Sequence, residues 1–478
     1  MNIDFEIFRM YDIRGEVNKN LTEEVVKVIG RAYAIYLKDK LNKSCNNRVP
    51  ENSVTVSVGR DVRLHSEKLE KALISGILSE GVNVIDLGIC PTPVLYFSLF
   101  NLQVDGGIMI TGSHNPPEFN GLKLCVEKEA VYGEGIREIY EIAKNIVDTG
   151  NIAGKLSYAN VLEEYKNFLL REFKNLKNVP NSVNIAVDSG NGCAGMVVPQ
   201  ILKELGVNVI ELYSEPNGNF PNHHPDPTIV ETLNTLRETV KKHSLDFGVA
   251  YDGDVDRLGV VDENGNVIYG DKLTYIFAKD ILKSNPGGKV IGEVKSSKML
   301  FDGIKAHSGV PILSPVGHSI IKKKMKEEGV LLAGEMSGHI FFNDRYFGYD
   351  DAIYATLRLI EIFVKEKLKN AYFKFSDLLK DFPRVFTSPE IRINCKEEDK
   401  FKLVEEFLTK YIEKFPRLAE KIENVIRIDG IRIEFSDGWG LIRASNTQPA
   451  VVMRFEATTK EALEEYERSF RTILGGEK

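Results

Sequence analysis

Residues 53–88 read SVTVSVGRDVRLHSEKLEKALISGILSEGVNVIDLG, with apolar residues at regular spacings. The alternating apolar run at 53–59 predicts a buried strand, and the apolar spacing at 66–81 predicts an amphipathic helix. A second apolar run at 82–88 predicts the next strand. A strand, a helix and a strand in this order are typical of a parallel α/β sheet.

The same strand–helix–strand pattern returns twice further along the chain. Its second copy runs from VNIAVDS (183–189) through a predicted helix at 195–206 to VNVIEL (207–212). Its third copy runs from KVIGEV (289–294) through a helix from about residue 296 to VPILSP (310–315). Three α/β units of similar size are therefore expected.

The last hundred residues or so have a different character. Strand-like runs such as IRINC (391–395) and AVVMRFEA (450–457) are joined by turns and flanked by predicted helices at 397–413 and near the C-terminus. This order predicts a separate α+β domain, with its boundary near residues 370–385.

Composition narrows the class of protein. The chain has 478 residues, 43% of them hydrophobic and 27% charged, as in an ordinary globular protein of several domains. It lacks a run of about eighteen apolar residues and a signal-like N-terminus, so a cytoplasmic protein without a membrane partner is expected. The five cysteines include no CxxC pair, and the net charge is −7, so zinc, disulfides and nucleic-acid binding are not indicated.

The segment DGDVDR (252–257) is the strongest local signal. Asp252, Asp254 and Asp256 alternate, and three carboxylates without His or Cys suit Mg²⁺. An EF-hand calcium loop is the alternative, with Glu263 at its twelfth position. However, its sixth position holds Arg257 instead of glycine, and its flanks look like strands, so the pattern favours a metal–phosphate site.

The segment TGSHNPPEFNGLK (111–123) follows a strand-like run and forms a polar loop. Gly112 permits a tight turn, and Ser113 is expected to be exposed there. A polar turn without a function is the simpler interpretation of a lone serine. His114 beside it and Lys123 ten residues on favour a loop that handles phosphate, whereas the GxSxG pattern of esterases is missing.

The segment GNGCAG (190–195) lies between a strand and a helix, and Glu211 ends the next strand. This spacing matches the dinucleotide-binding fingerprint. Glycine-rich turns at strand–helix junctions are common without a cofactor, so an NAD-dependent dehydrogenase is kept as a minor alternative.

Two further loops carry groups that suit anions or sugars. In GEMSGHIFF (334–342), Glu335, Ser337 and His339 alternate and offer hydroxyl-binding groups with a proton donor. In RASNTQP (443–449), a guanidinium fork, hydroxyls and turn amides make a suitable phosphate cradle. The residues of this cradle are Arg443, Ser445, Asn446 and Thr447.

Taken together, these motifs resemble those of the α-D-phosphohexomutase family, in its phosphomannomutase/phosphoglucomutase branch. The resemblance covers nearly the full chain, because FRMYDIRG (8–15) is similar to the N-terminal signature of that family. It implies three α/β domains with mixed sheets between helices, at 1–155, 156–262 and 263–375. It also implies a smaller α+β domain at 376–478 and a cleft where the four meet.

The resemblance also implies roles for individual residues. Ser113 would carry a phosphoryl group, and one Mg²⁺ per chain would sit among Asp252, Asp254, Asp256 and a phosphoserine oxygen. Glu335 and Ser337 would contact sugar hydroxyls, and the cradle from Arg443 to Thr447 would hold the non-reacting phosphate. Other residues would line the cleft, with Lys123 and His339 as the leading candidates for proton transfer: Tyr11, Arg14, His114, Lys123, Arg257, His318 and His339.

The implied reaction interconverts the 1- and 6-phosphates of mannose or glucose through a hexose 1,6-bisphosphate, which also serves as activator. Phosphosugars would be the partners of a monomer or weak homodimer. A phosphoglucosamine mutase and a non-catalytic phosphosugar-binding protein are the alternatives. The chain departs from the family pattern at Met10, Pro315 and Gln448, which puts one phosphate contact near Pro315 in doubt.

Overall fold

A computed structural model describes residues 3–45, 53–146, 153–177, 183–396, 398–445 and 450–475. The chain divides into two compact units. The first unit comprises Met1–Leu273 and Ser337–Leu378, and the second comprises Thr274–Met336 and Leu379–Lys478.

The first sheet of the first unit contains the predicted strand–helix–strand unit of residues 53–88. Its strands are β1 (Ile13–Glu16), β2 (Thr55–Arg60), β3 (Asn83–Ile89), β4 (Gly106–Ile110), β5 (Phe119–Val126), β6 (Glu129–Ala130) and β7 (Leu156–Tyr158). Its helices are α1 (Glu23–Cys45), α2 (Ser66–Ser79), α3 (Thr92–Asn101) and α4 (Glu134–Asn145). Strand β2 pairs in parallel with β3 and β4, whereas β5 runs antiparallel to β4 and β1. The sheet is therefore mixed.

The second sheet of this unit repeats the arrangement. Its elements are α5 (Val161–Glu172), β8 (Asn184–Asp188), α6 (Val198–Glu204), β9 (Asn208–Leu212), α7 (Asn234–Lys242), β10 (Phe247–Tyr251), β11 (Leu258–Asp262) and β12 (Val267–Ile268). Strand β8 is parallel to β9 and β10, and β10 and β11 form an antiparallel pair. The helix predicted at 195–206 starts later, at Val198, because a 3₁₀ turn occupies Cys193–Met196 and Pro199 fits the first helical turn.

The second unit begins with a small parallel sheet. Its elements follow α8 (Gly270–Ser284) and are β13 (Lys289–Glu293), α9 (Lys298–Ala306), β14 (Val310–Ser314), α10 (His318–Glu328) and β15 (Leu332–Gly334). Strand β13 pairs in parallel with β14 and β15, as the third copy of the sequence pattern predicts. The chain then contributes β16 (Ile340–Phe342) and α11 (Ala352–Lys369) to the first unit.

The C-terminal part of the second unit is antiparallel. Its elements are β17 (Phe386–Thr387), β18 (Ile391–Asn394), α12 (Lys400–Lys414), α13 (Pro416–Ala419), β19 (Ile422–Ile426), β20 (Ile431–Phe435), β21 (Gly438–Ala444), β22 (Ala450–Ala457) and α14 (Lys460–Ile473). Aromatic side chains of α12 and α14 pack on the sheet, with Phe407 against Phe470 and Tyr466 stacked on Phe435. Buried aromatic pairs of this kind hold helices to one face of a sheet.

In the described ranges, no helix combines the length and the apolar character that crossing a bilayer requires.

Candidate active site

The loop after β4 presents Ser113 in a strained conformation. Its φ angle is +47°, in the left-handed region that residues other than glycine rarely adopt. The amide of Ser113 donates to Oγ1 of Thr111 at 2.8 Å. The expectation that Ser113 is exposed was wrong, because the residue is 2% exposed and packs against Gly253 of the acidic loop. Because such strain persists where the surroundings fix it and often marks functional sites, the serine of the predicted loop is a site candidate.

The loop between β10 and β11 brings the three predicted carboxylates together. Asp252, Asp254 and Asp256 are buried, and ligand oxygens of the three lie within 4.8 Å of one another. Val255 between them has a φ angle of +69°, which is strained for a β-branched residue. The flanking elements are strands, and Glu263 accepts hydrogen bonds from the amide and Oγ of Ser376. The EF-hand alternative therefore fails.

The serine loop and the acidic loop touch. Oγ of Ser113 donates to Oδ2 of Asp252 at 2.8 Å, and Nδ1 of His114 lies 3.1 Å from the same Oγ. A Cβ atom at Gly253 would lie 2.6 Å from the carbonyl oxygen of Ser113, so glycine is needed for this close approach. Burial and the nearby Arg257 and Arg14 cations lower the pKa of His114 well below its ordinary value.

Lys123 lies on β5, and its ammonium sits between two of the carboxylates. Nζ donates to Oδ2 of Asp254 at 2.7 Å and also pairs with Oδ2 of Asp256. Oγ1 of Thr92 donates to the same oxygen of Asp254 at 2.6 Å. Burial by itself would lower the pKa of Lys123, but the two carboxylates raise it above its ordinary value. Lys123 is thus held as a cation.

The carboxylates keep oxygen atoms for a further cation. Oδ1 of Asp254 is buried and accepts no hydrogen bond from the described residues, and Oδ1 of Asp256 lies 3.3 Å from Nε2 of His339. Burial and the neighbouring carboxylates raise the pKa of Asp252 well above its usual range. Three hard oxygen donors with excess negative charge fit a divalent cation such as Mg²⁺.

His339 and Ser337 from the GEMSGH motif join this cluster. Nδ1 of His339 lies 3.0 Å from Oγ of Ser337, and Nε of Arg257 donates to Nε2 of His339 at 3.4 Å. Arg257 also lies 3.9 Å from Asp226. The two contacts of Nε2 require different protonation states. Arg257 can donate to Nε2 when Nε2 carries no proton, whereas Asp256 can accept from Nε2 when Nε2 is protonated.

Arg14 lies at the end of the serine loop. Its Nε donates to Oδ2 of Asp12 at 2.7 Å, and its Nη1 donates to Oδ1 of Asn115 at 2.6 Å. Tyr11 is half-buried next to Asp12 in the chain. Within the first unit, the structure therefore brings together Arg14, Ser113, His114, Lys123, Asp252, Asp254, Asp256, Arg257 and His339.

The glycine-rich segment 190–195 supports the acidic loop. The amide of Cys193 donates to the carbonyl of Gly253 at 3.0 Å, and a Cβ at Gly192 would lie 2.8 Å from that carbonyl oxygen. Glu211 pairs with Lys203 at 2.5 Å. These contacts explain the glycines by packing, without a dinucleotide.

A second group of predicted residues lies in the second unit. Oε1 of Glu335 accepts from the amide of Gly317, which precedes His318 at the start of α10, at 2.8 Å. Asp429 accepts from the amide of Val316 at 3.1 Å. It also accepts from Nε and Nη2 of Arg443 at 3.2 and 3.1 Å. Asp429 thus fixes one edge of the predicted phosphate-binding guanidinium.

The end of the predicted phosphate cradle is only partly described. The amide of Ser445 donates to the carbonyl of Ala450 at 2.9 Å, and Nζ of Lys400 donates to the carbonyl of Ser445 at 2.8 Å. Asn446 and Thr447 lie outside the described residues. The sequence reasoning missed Thr92 and Asp429, because neither belongs to a motif with a recognisable spacing.

Four family models match the chain in order. They are the phosphoglucomutase/phosphomannomutase alpha/beta/alpha domains I, II and III, at residues 6–149, 163–265 and 269–385, and the C-terminal domain, at 390–473. Curated relatives agree with these matches. The phosphomannomutase/phosphoglucomutase of Pseudomonas aeruginosa is 42% identical over 473 residues, which cover 98% of this chain and 95% of that protein.

Two further comparisons extend this result. The phosphoglucomutase of Neisseria gonorrhoeae is 40% identical over 475 residues, covering 99% of this chain and 97% of that protein. The crystal structure of a phosphoglucomutase/phosphomannomutase family protein from Burkholderia thailandensis has a TM-score of 0.87 at 36% identity, covering 100% and 99% of the two chains. This chain belongs to the phosphoglucomutase/phosphomannomutase family. The predicted family, fold class and class of enzyme are thereby confirmed.

Proposed function

We propose that this chain interconverts hexose 1-phosphates and hexose 6-phosphates of glucose or mannose through phosphorylated Ser113. The observation that carries the proposal is the 2.8 Å contact between Oγ of Ser113 and Oδ2 of Asp252, one of three clustered carboxylates. A hydroxyl beside a divalent-cation site suits phosphoryl transfer, in which positioning and neutralisation of charge do most of the work.

The acidic loop is proposed as the Mg²⁺ site. Asp252, Asp254 and Asp256 would hold the ion with one phosphoserine oxygen, as the buried Oδ1 of Asp254 suggests. When bound, the ion supplies positive charge to the phosphoryl oxygens. Lys123 keeps Oδ2 of Asp254 and Oδ2 of Asp256 in place, which leaves their Oδ1 atoms for a ligand.

Cations of the chain would stabilise the phosphoryl group during transfer. Lys123 and Arg257 lie in the cluster itself, and Arg14 holds the serine loop through Asn115. His114 beside Oγ of Ser113 is a further polar contact. In each transfer, the bond from phosphorus to one oxygen breaks as the bond to the incoming oxygen forms, so fixed positive charges lower the barrier.

His339 is the proposed proton carrier. As the sugar hydroxyl attacks the phosphorus of phosphorylated Ser113, its proton would pass to Nε2 of His339, and the P–Oγ bond would break. Nε2 already lies between a donor, Arg257, and an acceptor, Asp256, so the ring has a partner in either protonation state. Lys123 is the weaker candidate because its ammonium is committed to two carboxylates.

The remaining residues are proposed to bind the substrate. Glu335 and Ser337 would contact sugar hydroxyls, and Tyr11 and His318 would be further substrate-binding residues. The non-reacting phosphate would be held by Arg443, Ser445, Asn446 and Thr447. Since Asp429 occupies Nε and Nη2 of Arg443, the phosphate would use the remaining donors of the guanidinium. The division into domains at 1–155, 156–262, 263–375 and 376–478, and a cytoplasmic monomer or weak homodimer, complete the proposal.

The proposal is tested with purified protein, Mg²⁺ and glucose 1,6-bisphosphate as activator. We expect glucose 1-phosphate to be converted to glucose 6-phosphate, and intact-mass analysis to show one added phosphoryl group. Ser113→Ala should lower turnover by more than about a thousandfold and abolish the added mass.

Ser79→Ala is the matched control, because Oγ of Ser79 only caps the end of α2 by donating to the carbonyl of Gly76. Turnover by Ser113→Ala close to that of the control would refute the carrier role. Faster conversion of glucosamine 6-phosphate than of glucose or mannose phosphates would instead identify a hexosamine mutase.

A further inference from the structure

Arg63 lies beneath the serine loop and binds four of its backbone carbonyls. It is 2% exposed and belongs to the turn between β2 and α2. Its Nη1 donates to the carbonyls of Pro116 at 2.6 Å and Phe119 at 2.9 Å. Its Nη2 donates to the carbonyls of Ser113 at 2.9 Å and Asn115 at 2.5 Å. One guanidinium thus satisfies acceptors along most of the loop.

The guanidinium itself is held from several sides. Nε of Arg63 lies 3.2 Å from Oδ2 of Asp61, which also accepts from the amide of Gly112 at 3.2 Å. The other oxygen of Asp61 accepts from the amide of Arg63 at 3.0 Å and from Oγ of Ser66 at 2.6 Å. The ring of Phe220 lies 5.0 Å from the guanidinium carbon. Few rotamers of Arg63 satisfy all these contacts, so its donors have fixed directions.

The contact with Ser113 is the important one. Nη2 of Arg63 binds the carbonyl oxygen of the same residue that has a φ angle of +47° and that packs against Gly253. Holding this carbonyl fixes the peptide plane after Ser113. With this plane fixed, the backbone of Ser113 does not relax to an ordinary conformation. Its side chain therefore stays directed at Oδ2 of Asp252.

We propose that Arg63 is a positioning residue for phosphoryl transfer, which keeps Ser113 in the strained conformation that directs Oγ at the acidic cluster. This inference rests on the proposed function of Ser113. The charge of Arg63 serves the backbone of the loop through its carbonyl contacts. Its loss should therefore slow the chemical step more than it weakens substrate binding.

Arg60 offers a matched control. It lies three residues earlier, at the end of β2, and its Nε pairs with Oε2 of the buried Glu70 at 2.7 Å. Arg60→Ala removes a partly buried arginine and its ion pair from the same region, but the contacts of Arg63 with the serine loop remain. Both arginines are in the first unit.

The experiment compares Arg63→Lys, Arg63→Ala and Arg60→Ala with the wild type. For Arg63→Lys, we expect kcat to fall by about 100-fold, because a lysine cannot reach four carbonyls in fixed directions, whereas KM should stay within about threefold. The rate at which glucose 1,6-bisphosphate phosphorylates Ser113 should fall in parallel. Urea unfolding of each variant shows whether the protein is folded under assay conditions.

A folded Arg63→Lys variant with the kcat of the wild type would overturn the inference. So would an equal loss of kcat in Arg60→Ala, since that result indicates general destabilisation. If the Arg63→Ala variant does not fold, the kcat of the Arg63→Lys variant tests the inference. The proposed function fails separately, in the wild type, if Ser113 takes up no phosphoryl group from the bisphosphate, and the inference is then overturned with it.

Discussion

Oγ of Ser113 lies 2.8 Å from Oδ2 of Asp252, although 139 positions in the chain separate the two residues. The serine follows β4 in the first sheet, and the aspartate follows β10 in the second. Both loops therefore extend from the carboxyl ends of strands, where α/β sheets commonly place their functional groups. The pair joins a hydroxyl to an acidic cluster that fits a divalent cation.

Lys123→Met should destabilise the protein and make it depend on a divalent cation. The substitution leaves Asp254 and Asp256 buried without their ammonium partner, and breaking a buried ion pair costs about 3–5 kcal/mol. Added Mg²⁺ should recover part of the lost free energy of unfolding. Urea unfolding with and without Mg²⁺ measures both effects.

The control for this prediction is Lys19→Met, which removes an exposed pair with Glu16. Such a change should alter the free energy of unfolding by less than about 0.5 kcal/mol. A Lys123→Met protein as stable as the wild type without Mg²⁺ would contradict the charge arrangement described.

Asp254→Asn should weaken Mg²⁺ binding by at least about tenfold, because it removes one hard anionic ligand while the shape of the side chain stays. At Mg²⁺ concentrations about 100 times the dissociation constant, the wild type should gain about 2.7 kcal/mol of stability, and the variant clearly less. Calorimetric titration and unfolding measure these quantities. Asp39→Asn, which changes an exposed pair with Lys43, should bind as the wild type does. Equal Mg²⁺ affinity in all three proteins would rule out the site.

His339→Gln should lower kcat by about a hundredfold or more if the ring transfers the proton of the sugar hydroxyl. The amide can still contact Ser337 and Arg257, so KM should change little. His243→Gln, at the exposed end of α7, is the control and should have wild-type kinetics. Steady-state kinetics with glucose 1-phosphate measure kcat and KM. An unchanged kcat would show that a group other than His339 transfers the proton.

Asp351→Asn should change how stability depends on pH. Burial raises the pKa of Asp351 from 3.8 to about 6, although hydrogen bonds from Tyr346, Tyr165 and backbone amides oppose the shift. Between about pH 4 and 6, the unfolded chain loses this proton while the folded protein keeps it. The contribution of this group to the free energy of unfolding therefore falls by about 2 kcal/mol as pH rises through that window.

The variant lacks this titration. Its stability relative to the wild type should therefore improve by about 2 kcal/mol from about pH 4 to about pH 7, whatever the cost of the altered hydrogen bonds. Urea unfolding at the two pH values measures the difference. Asp377→Asn, whose carboxyl caps a turn at the surface by accepting from the amide of Lys374, is the control. A difference that does not vary with pH would show that Asp351 titrates at its ordinary pKa.

Arg443→Lys should raise KM for glucose 1-phosphate by about tenfold and change kcat by less than about threefold. A lysine cannot bind Asp429 through two nitrogens and also present a fork to phosphate. Arg392→Lys, at an exposed position paired with Glu390, is the control. A wild-type KM for the Arg443→Lys variant would show that Arg443 does not bind the substrate.

The sequence alone predicted much of the fold and part of the site. The alternation of apolar runs predicts β2, α2 and β3 within about two residues, because periodicity is a local property of the chain. The three aspartates and the serine loop are also local patterns, and family resemblance followed from their order. Element ends such as the start of α6 were less accurate, since a single proline and a short 3₁₀ turn decide them.

Which groups face one another depends on contacts between parts of the chain that are distant in sequence. The binding of Lys123 to two carboxylates, the contact of Thr92 with Asp254, and the hold of Asp429 on Arg443 all join residues that no sequence motif connects. The orientation of Ser113 likewise depends on Arg63, fifty positions earlier in the chain. The sequence determined which chemical groups are present and which local elements carry them. The protonation states and orientations of these groups depend on burial and on contacts between loops of different sheets. Local spacing in the sequence does not encode such contacts.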